Sequence, residues 1–229
     1  MSLIGKTILP FFLFLFAVFH APAAEHDFGR WEKEIAEFEQ QEKSHPSQAG
    51  GFLFTGSSTI RLWKTLPQVF PGTNVINHGF GGSQIIDAGH FASRLIFPSK
   101  PSVIFLRAGG NDLWEGKSVE QVCEDFKNFV KTVHEGLPEA TIVFISLSPS
   151  IARWKQADKE RAVNRSIEDY ARKSRNVKFI DTWSVPLGAG GEPRPDLFLP
   201  DKLHFNEAGY ELLTQRVQMT WRELNKINK

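Results

Sequence analysis

Five apolar runs of four or five residues, each closed by turn residues, recur along this chain at 52–55, 74–77, 103–107, 142–146 and 177–180. Their near-continuous hydrophobicity suits strands buried on both faces rather than on one. Between them the period changes to that of helices. Ser118 can cap one, with Gln121 three residues on to complete a capping box. Val119, Val122, Phe126, Phe129 and Val133 then share one face until Gly136 and Pro138 end the helix. A second helix runs through Val163, Ile167 and Tyr170, and a last one follows Asn206 and buries Tyr210, Leu213, Val217 and Trp221. Strands alternating with helices imply an α/β fold, a parallel sheet covered on both faces. Right-handed crossovers place reactive residues in the loops at the strands' C-terminal ends. The 229 residues are enough for one such domain with a sizeable core and short for two.

The N-terminus departs from this pattern. Lys6 is its only charge before Glu25, residues 8–19 are almost purely apolar, and Ala21-Pro22-Ala23 offers small residues ahead of an Ala23/Ala24 junction. These are the basic region, apolar core and A-x-A site of a secretory signal peptide, so residues 1–23 are set aside from the fold. The alternative is an uncleaved membrane anchor, but the run is shorter than the ~20 residues a spanning helix needs. No Cys follows it that could carry a lipid. Loss of Lys6 takes the formal net charge from +1 to 0. With no long basic run elsewhere, a nucleic-acid partner is excluded. The chain is therefore expected to be secreted or periplasmic. The single Cys123 has no intramolecular disulfide partner and reads as a structural thiol within a helix. Residues 24–50 read as an acidic amphipathic helix, with Trp31, Ile35 and Phe38 at helical spacing, followed by a linker ending in Gly50-Gly51.

Three strand ends carry unusual residues. After the first come Gly56-Ser57-Ser58, where glycine lets the chain turn sharply into what looks like a helix start. A serine there sits among free backbone N–H groups that can stabilise negative charge; taken alone, it is better explained as a helix cap. After the second comes Asn77-His78-Gly79-Phe80-Gly81-Gly82-Ser83. Gln84 stands where the third glycine of a dinucleotide-binding G-x-G-x-x-G would fall, so that reading fails. Such a loop can bring a bare backbone N–H close to a ligand, or be a plain turn. After the third come Gly109-Gly110-Asn111-Asp112, where Asn111 could aim its amide into a site or simply close an Asx turn.

A serine nucleophile needs a base, and histidine suits neutral pH. Of the seven histidines, only His204 has an acid three residues before it in a loop that leads into a helix. The spacing lets Asp201 accept the Nδ1 proton and fix the ring, leaving Nε2 for the serine. A lone D-x-x-H is otherwise ordinary surface charge.

Taken in chain order, these four segments resemble the blocks of the SGNH (GDSL-type) hydrolase family, over roughly residues 50–223. Gly56-Ser57-Ser58 resembles the first block, in the branch that has Ser in place of the signature Asp; Gly82, Asn111 and Asp201-x-x-His204 match the others. The α/β-hydrolase elbow G-x-S-x-G is absent. The resemblance implies a flavodoxin-like, three-layer α/β/α fold over residues 51–229 with a five-stranded parallel sheet. It implies Ser58 as nucleophile, Asp201 and His204 as its supporting pair, and an oxyanion hole from the Ser58 and Gly82 N–H groups and the Asn111 amide. It implies an esterase acting on acyl or acetyl esters of lipids or glycans, with no metal or organic cofactor. An acyltransferase on the same residues and a non-catalytic glycan- or lipid-binding module are the alternatives. Phe80, Trp114, Arg153, Trp154 and Phe198 are candidates to line the pocket.

Overall fold

The computed structural model describes residues 26–226; the expected signal peptide and its cleavage junction lie outside them. Five parallel strands form one sheet in the order β2-β1-β3-β4-β5: β1 Phe52–Gly56, β2 Val75–Gly79, β3 Val103–Arg107, β4 Thr141–Ile145 and β5 Val177–Ile180. All five expected strands are present with ends shifted by no more than two residues, so the apolar runs located them correctly.

The principal helices are α1 Glu32–Ser44, α2 Ser58–Arg61, α3 Leu66–Val69, α4 Ile85–His90, α5 Ala92–Leu95, α6 Gly110–Trp114, α7 Val119–Gly136, α8 Ala157–Arg172 and α9 Glu207–Lys226. No helix among the described residues is long and apolar enough to cross a membrane. α7 starts as its sequence dictates: Ser118 Oγ accepts from the Gln121 N–H while the Gln121 side chain accepts from the Ser118 N–H.

Side chains alternate across the strands, and both faces are apolar, so the sheet separates two cores. Leu53, Ile104, Leu106, Ile142 and Phe144 pack with Phe126, Phe129 and Val163 beneath α7 and α8. Phe54, Phe105, Val143 and Ile145 pack with Leu213 and Val217 of α9. The result is three layers, α/β/α. Phe54 and Phe105 stack at 4.2 Å in the second core, where truncating either to Ala costs about 3–5 kcal/mol.

The segment ahead of β1 packs on the first core. Trp31, at the end of a 3-10 turn Phe28–Trp31, and Ile35 of α1 are buried there. Arg94 of α5 grips Glu32 and Glu39 of α1, and His26 Nε2 meets the buried Asp87 of α4 at 2.7 Å. From β1 the chain moves to β2 on one side, then crosses from β2 past β1 to β3 on the other. The strand order therefore reverses between β1 and β3, and such a switch point opens a crevice at the strands' C-terminal ends.

Candidate active site

That crevice holds Ser58. The chain leaves β1 through Gly56, whose φ of +121° favours glycine and whose α-carbon faces the β3 backbone so closely that a Cβ would lie 2.2 Å from the Arg107 carbonyl oxygen. The Ser57 N–H donates to that same oxygen at 3.0 Å, fixing the direction in which the next residue emerges. Ser57 occupies the cap position of α2, yet its side chain makes no capping bond. Ser58 begins the helix and points its hydroxyl to His204. Gly79 lets the end of β2 lie against this turn, because a Cβ there would sit 2.3 Å from the Arg61 nitrogen.

His204 and Asp201 lie in the loop before α9. Phe198 and Phe205 bridge in antiparallel fashion, and Leu199 N–H donates to His204 O at 2.8 Å, so the loop folds back on itself. Within it the Asp201 Oδ1 accepts the backbone N–H groups of Leu203 and His204, while Oδ2 accepts from His204 Nδ1 at 2.7 Å. His204 Nε2 faces Ser58 Oγ at 3.0 Å. The His204 ring hydrogen bond, reinforced by the backbone N–H groups, holds the Asp201 pKa down to about 2. An ionised Asp201 keeps the Nδ1 proton on the far side of the ring, which leaves Nε2 free to accept. Tyr210 of α9 donates to Thr59 O at 2.9 Å, tying the histidine's helix to the serine's turn.

Asn111 lies one residue into α6, just past β3. Its Nδ2 donates to Ser83 O at 2.9 Å and its Oδ1 accepts from the Arg153 guanidinium at 2.8 Å. These opposite partners fix which end of the amide is which, and leave the second Nδ2 proton for another acceptor. Gly82, at φ +77°, sits in the loop after β2; among the described residues neither its N–H nor that of Ser58 is engaged in a hydrogen bond.

Ser58, Asn111 and His204 line a cavity of about 70 Å³ together with Arg107, Arg153 and Glu160. Gly82 is not among its lining residues. Phe198 and Arg153 do line it, as expected, whereas Phe80 is fully buried among Trp31 and Phe91. The expectation for Phe80 is corrected: its backbone N–H is held by Gly56 O, and the side chain turns into the first core. Trp114 is largely exposed, with the Arg153 guanidinium 5.0 Å over its ring; Trp154 is also exposed, and neither lines the cavity. His78 is a core residue bonded to Leu95 O. Cys123 is half-buried on α7, where burial raises its thiol pKa.

Two buried charges behind the serine were not anticipated. Arg107 ends β3 and donates to Ser146 O, to Thr182 Oγ1 and to Ser148 Oγ. Burial pulls its pKa down to about 10, so it remains cationic at neutral pH. Glu160 of α8 takes a hydrogen bond from Gln156 at 2.8 Å, and burial pushes its pKa upward. Both left a trace in the sequence: an arginine closing an apolar strand, and a glutamate on the face shared by Val163 and Ile167.

Solved structures of other proteins share this fold. A chain from Streptococcus pneumonia, provisionally assigned as a platelet activating factor, superposes with a TM-score of 0.74 at 19% identity, over 84% of this chain and 94% of its own. A GDSL-like lipase from Bacteroides thetaiotaomicron gives 0.66 at 17%, over 86% and 98%. A catalytic mutant of an acetylxylan esterase from Geobacillus stearothermophilus gives 0.59 at 16%, over 75% and 93%. These likenesses establish the fold. No curated protein sequence matches significantly. The profile of the GDSL-like lipase/acylhydrolase family matches residues 51–212, most of the chain. The chain therefore belongs to the GDSL-like lipase/acylhydrolase family and is a carboxylic ester hydrolase.

Proposed function

We propose that the protein hydrolyses short acyl esters, acetyl esters above all, of glycans or lipids, through an acyl-enzyme on Ser58. The observation that carries this reading is the unbroken chain from Ser58 Oγ through His204 to Asp201, at 3.0 and 2.7 Å. His204 Nε2 takes the hydroxyl proton as Oγ bonds to the ester carbonyl carbon. The resulting oxyanion is held by the Ser58 and Gly82 N–H groups and the Asn111 amide. As the tetrahedral adduct collapses, the C–O bond to the alcohol breaks and His204 returns the proton to the leaving oxygen. Water then repeats the sequence on the acyl-enzyme and releases the acid. Asp201 stays ionised throughout and stabilises the transient imidazolium.

The cavity of about 70 Å³ beside Ser58 matches an acyl group of a few heavy atoms, which supports a short acyl chain. The similarity to an acetylxylan esterase makes acetylated glycans the first natural substrates to try. The signal-like residues 1–23 support a substrate outside the cytoplasm.

The test is turnover of p-nitrophenyl acetate, butyrate and octanoate by the purified protein beside Ser58→Ala. Release that falls with chain length and disappears in Ser58→Ala is expected. Octanoate turned over faster than acetate would refute the short-acyl assignment, and undiminished release by Ser58→Ala would refute the nucleophile.

A further inference from the structure

The segment ahead of the family match reaches the loop that carries Gly82. Trp31 is 3% exposed, packs edge-on against Phe80 at 5.9 Å, and donates its indole Nε1–H to Gly81 O at 2.9 Å. The Gly81 carbonyl and the Gly82 N–H are the two ends of one peptide unit. That unit is planar and turns as a body, so fixing its oxygen fixes the direction of its N–H. The restraint matters here because both flanking residues are glycines, and Gly82 lies at φ +77°. A donor on the carbonyl also polarises the amide and strengthens its N–H as a donor.

Arg30 completes the attachment. Its guanidinium lies 4.0 Å over the Trp31 ring and reaches Gly82 O at 3.5 Å and Glu115 Oε1 at 3.8 Å. Glu115 Oε2 in turn accepts from Gln84 Nε2 at 2.7 Å. The loop is thus held from its outer side by residues 30 and 31, which the family match at 51–212 does not include.

We propose that Trp31 is a positioning residue for ester hydrolysis: its indole N–H holds the Gly81–Gly82 peptide in the orientation that presents the Gly82 N–H to the oxyanion. The proposal rests on the oxyanion role given to Gly82 above. It differs from ordinary burial of a tryptophan, for which ring volume alone would suffice.

Two replacements separate these roles. Trp31→Phe keeps an aromatic ring without the N–H, and benzothienylalanine installed at position 31 keeps the bicyclic shape with sulfur in place of the N–H. For p-nitrophenyl acetate, both are expected to lower kcat about tenfold with KM within about twofold, short of the hundredfold or more for loss of a whole oxyanion donor. Ser58→Ala and Asn111→Ala are measured alongside. Should the benzothienylalanine protein fold with an unchanged Tm and keep its kcat while Asn111→Ala loses activity, Trp31 is core packing alone and the proposal fails by itself. A rise in KM with kcat unchanged would overturn it equally. If Ser58→Ala and Asn111→Ala both retained full rate, the esterase reading beneath it would fall first. Should Trp31→Phe unfold, the isosteric variant decides.

Discussion

Replacing Asn111 tests the candidate site most sharply, because two substitutions there give opposite orders under rival explanations. In Asn111→Ala the bonds to Ser83 O and to Arg153 are both lost. A neutral bond is worth about 1 kcal/mol and a charge-assisted one about 1.5–3 kcal/mol, so stability should fall by about 2–4 kcal/mol. Loss of an oxyanion donor costs about 3–4 kcal/mol of the transition state, or about 10²- to 10³-fold in kcat. Asn111→Asp keeps the shape and strengthens the pairing with Arg153, but its carboxylate cannot donate to Ser83 O and sets two oxygens against each other there, so it too should lose stability. It also sets a carboxylate oxygen where Nδ2 faced the oxyanion. Two like charges about 4 Å apart at an effective dielectric of about 20 repel by about 4 kcal/mol. Initial rates on p-nitrophenyl acetate, with Tm measured in parallel to show that both variants fold, should therefore rank wild type, then Ala, then Asp. If Asn111 served only to pack the loop, the isosteric Asp would be the more active variant; that order, or a folded Ala variant within threefold of wild type, would refute the reasoning.

Other perturbations reach different parts of the structure. Arg153→Ala should lower kcat about three- to tenfold by removing the cation on Asn111 Oδ1, and Arg153→Lys should recover part of it; equal rates in both variants would show the charge is not felt. Gly56→Ala would press a Cβ within 2.2 Å of the Arg107 carbonyl oxygen at a φ of +121°, so urea unfolding should show a loss above about 4 kcal/mol or no folded protein at all. Burial pushes the Asp112 pKa from 3.8 up to about 6, so the folded state holds this proton more tightly than the unfolded chain. Its contribution is full below pH 3.8 and lost as pH rises through 6, by at most about 3 kcal/mol. Tm should therefore fall between about pH 4 and 6 more steeply, or rise less, in the wild type than in Asp112→Asn; parallel curves would contradict this.

The strands were legible because a sheet covered on both faces demands unbroken apolar runs, and little else in a soluble chain does. The contact between Ser58 and His204 was legible for a different reason. Their chemistry imposes local spacings, a glycine before the turn and an acid three residues before the histidine, which survive in a linear sequence. Phe80 misled because a residue between glycines looks like loop, while its neighbours' backbone bonds turn it inward. Trp31 could be placed on a helix face but not on Gly81, since no local pattern encodes a contact across 50 residues. Arg107 and Glu160 carried a signal that was overlooked: each is a charge in register with buried neighbours, a position that a charge takes only where something pairs with it.

The hydrogen bond between His204 and Ser58 joins residues 146 apart in the chain. Every strand of the sheet, and the serine itself, precede the loop that supplies the base. A chain broken off after β5 would possess the whole sheet and Ser58 yet lack His204, the base proposed for it. The pairing that the proposed reaction needs therefore forms only once the segment after β5 has closed onto the sheet. In the proposed reaction, folding of the loop at 198–205 and docking of α9 come before turnover.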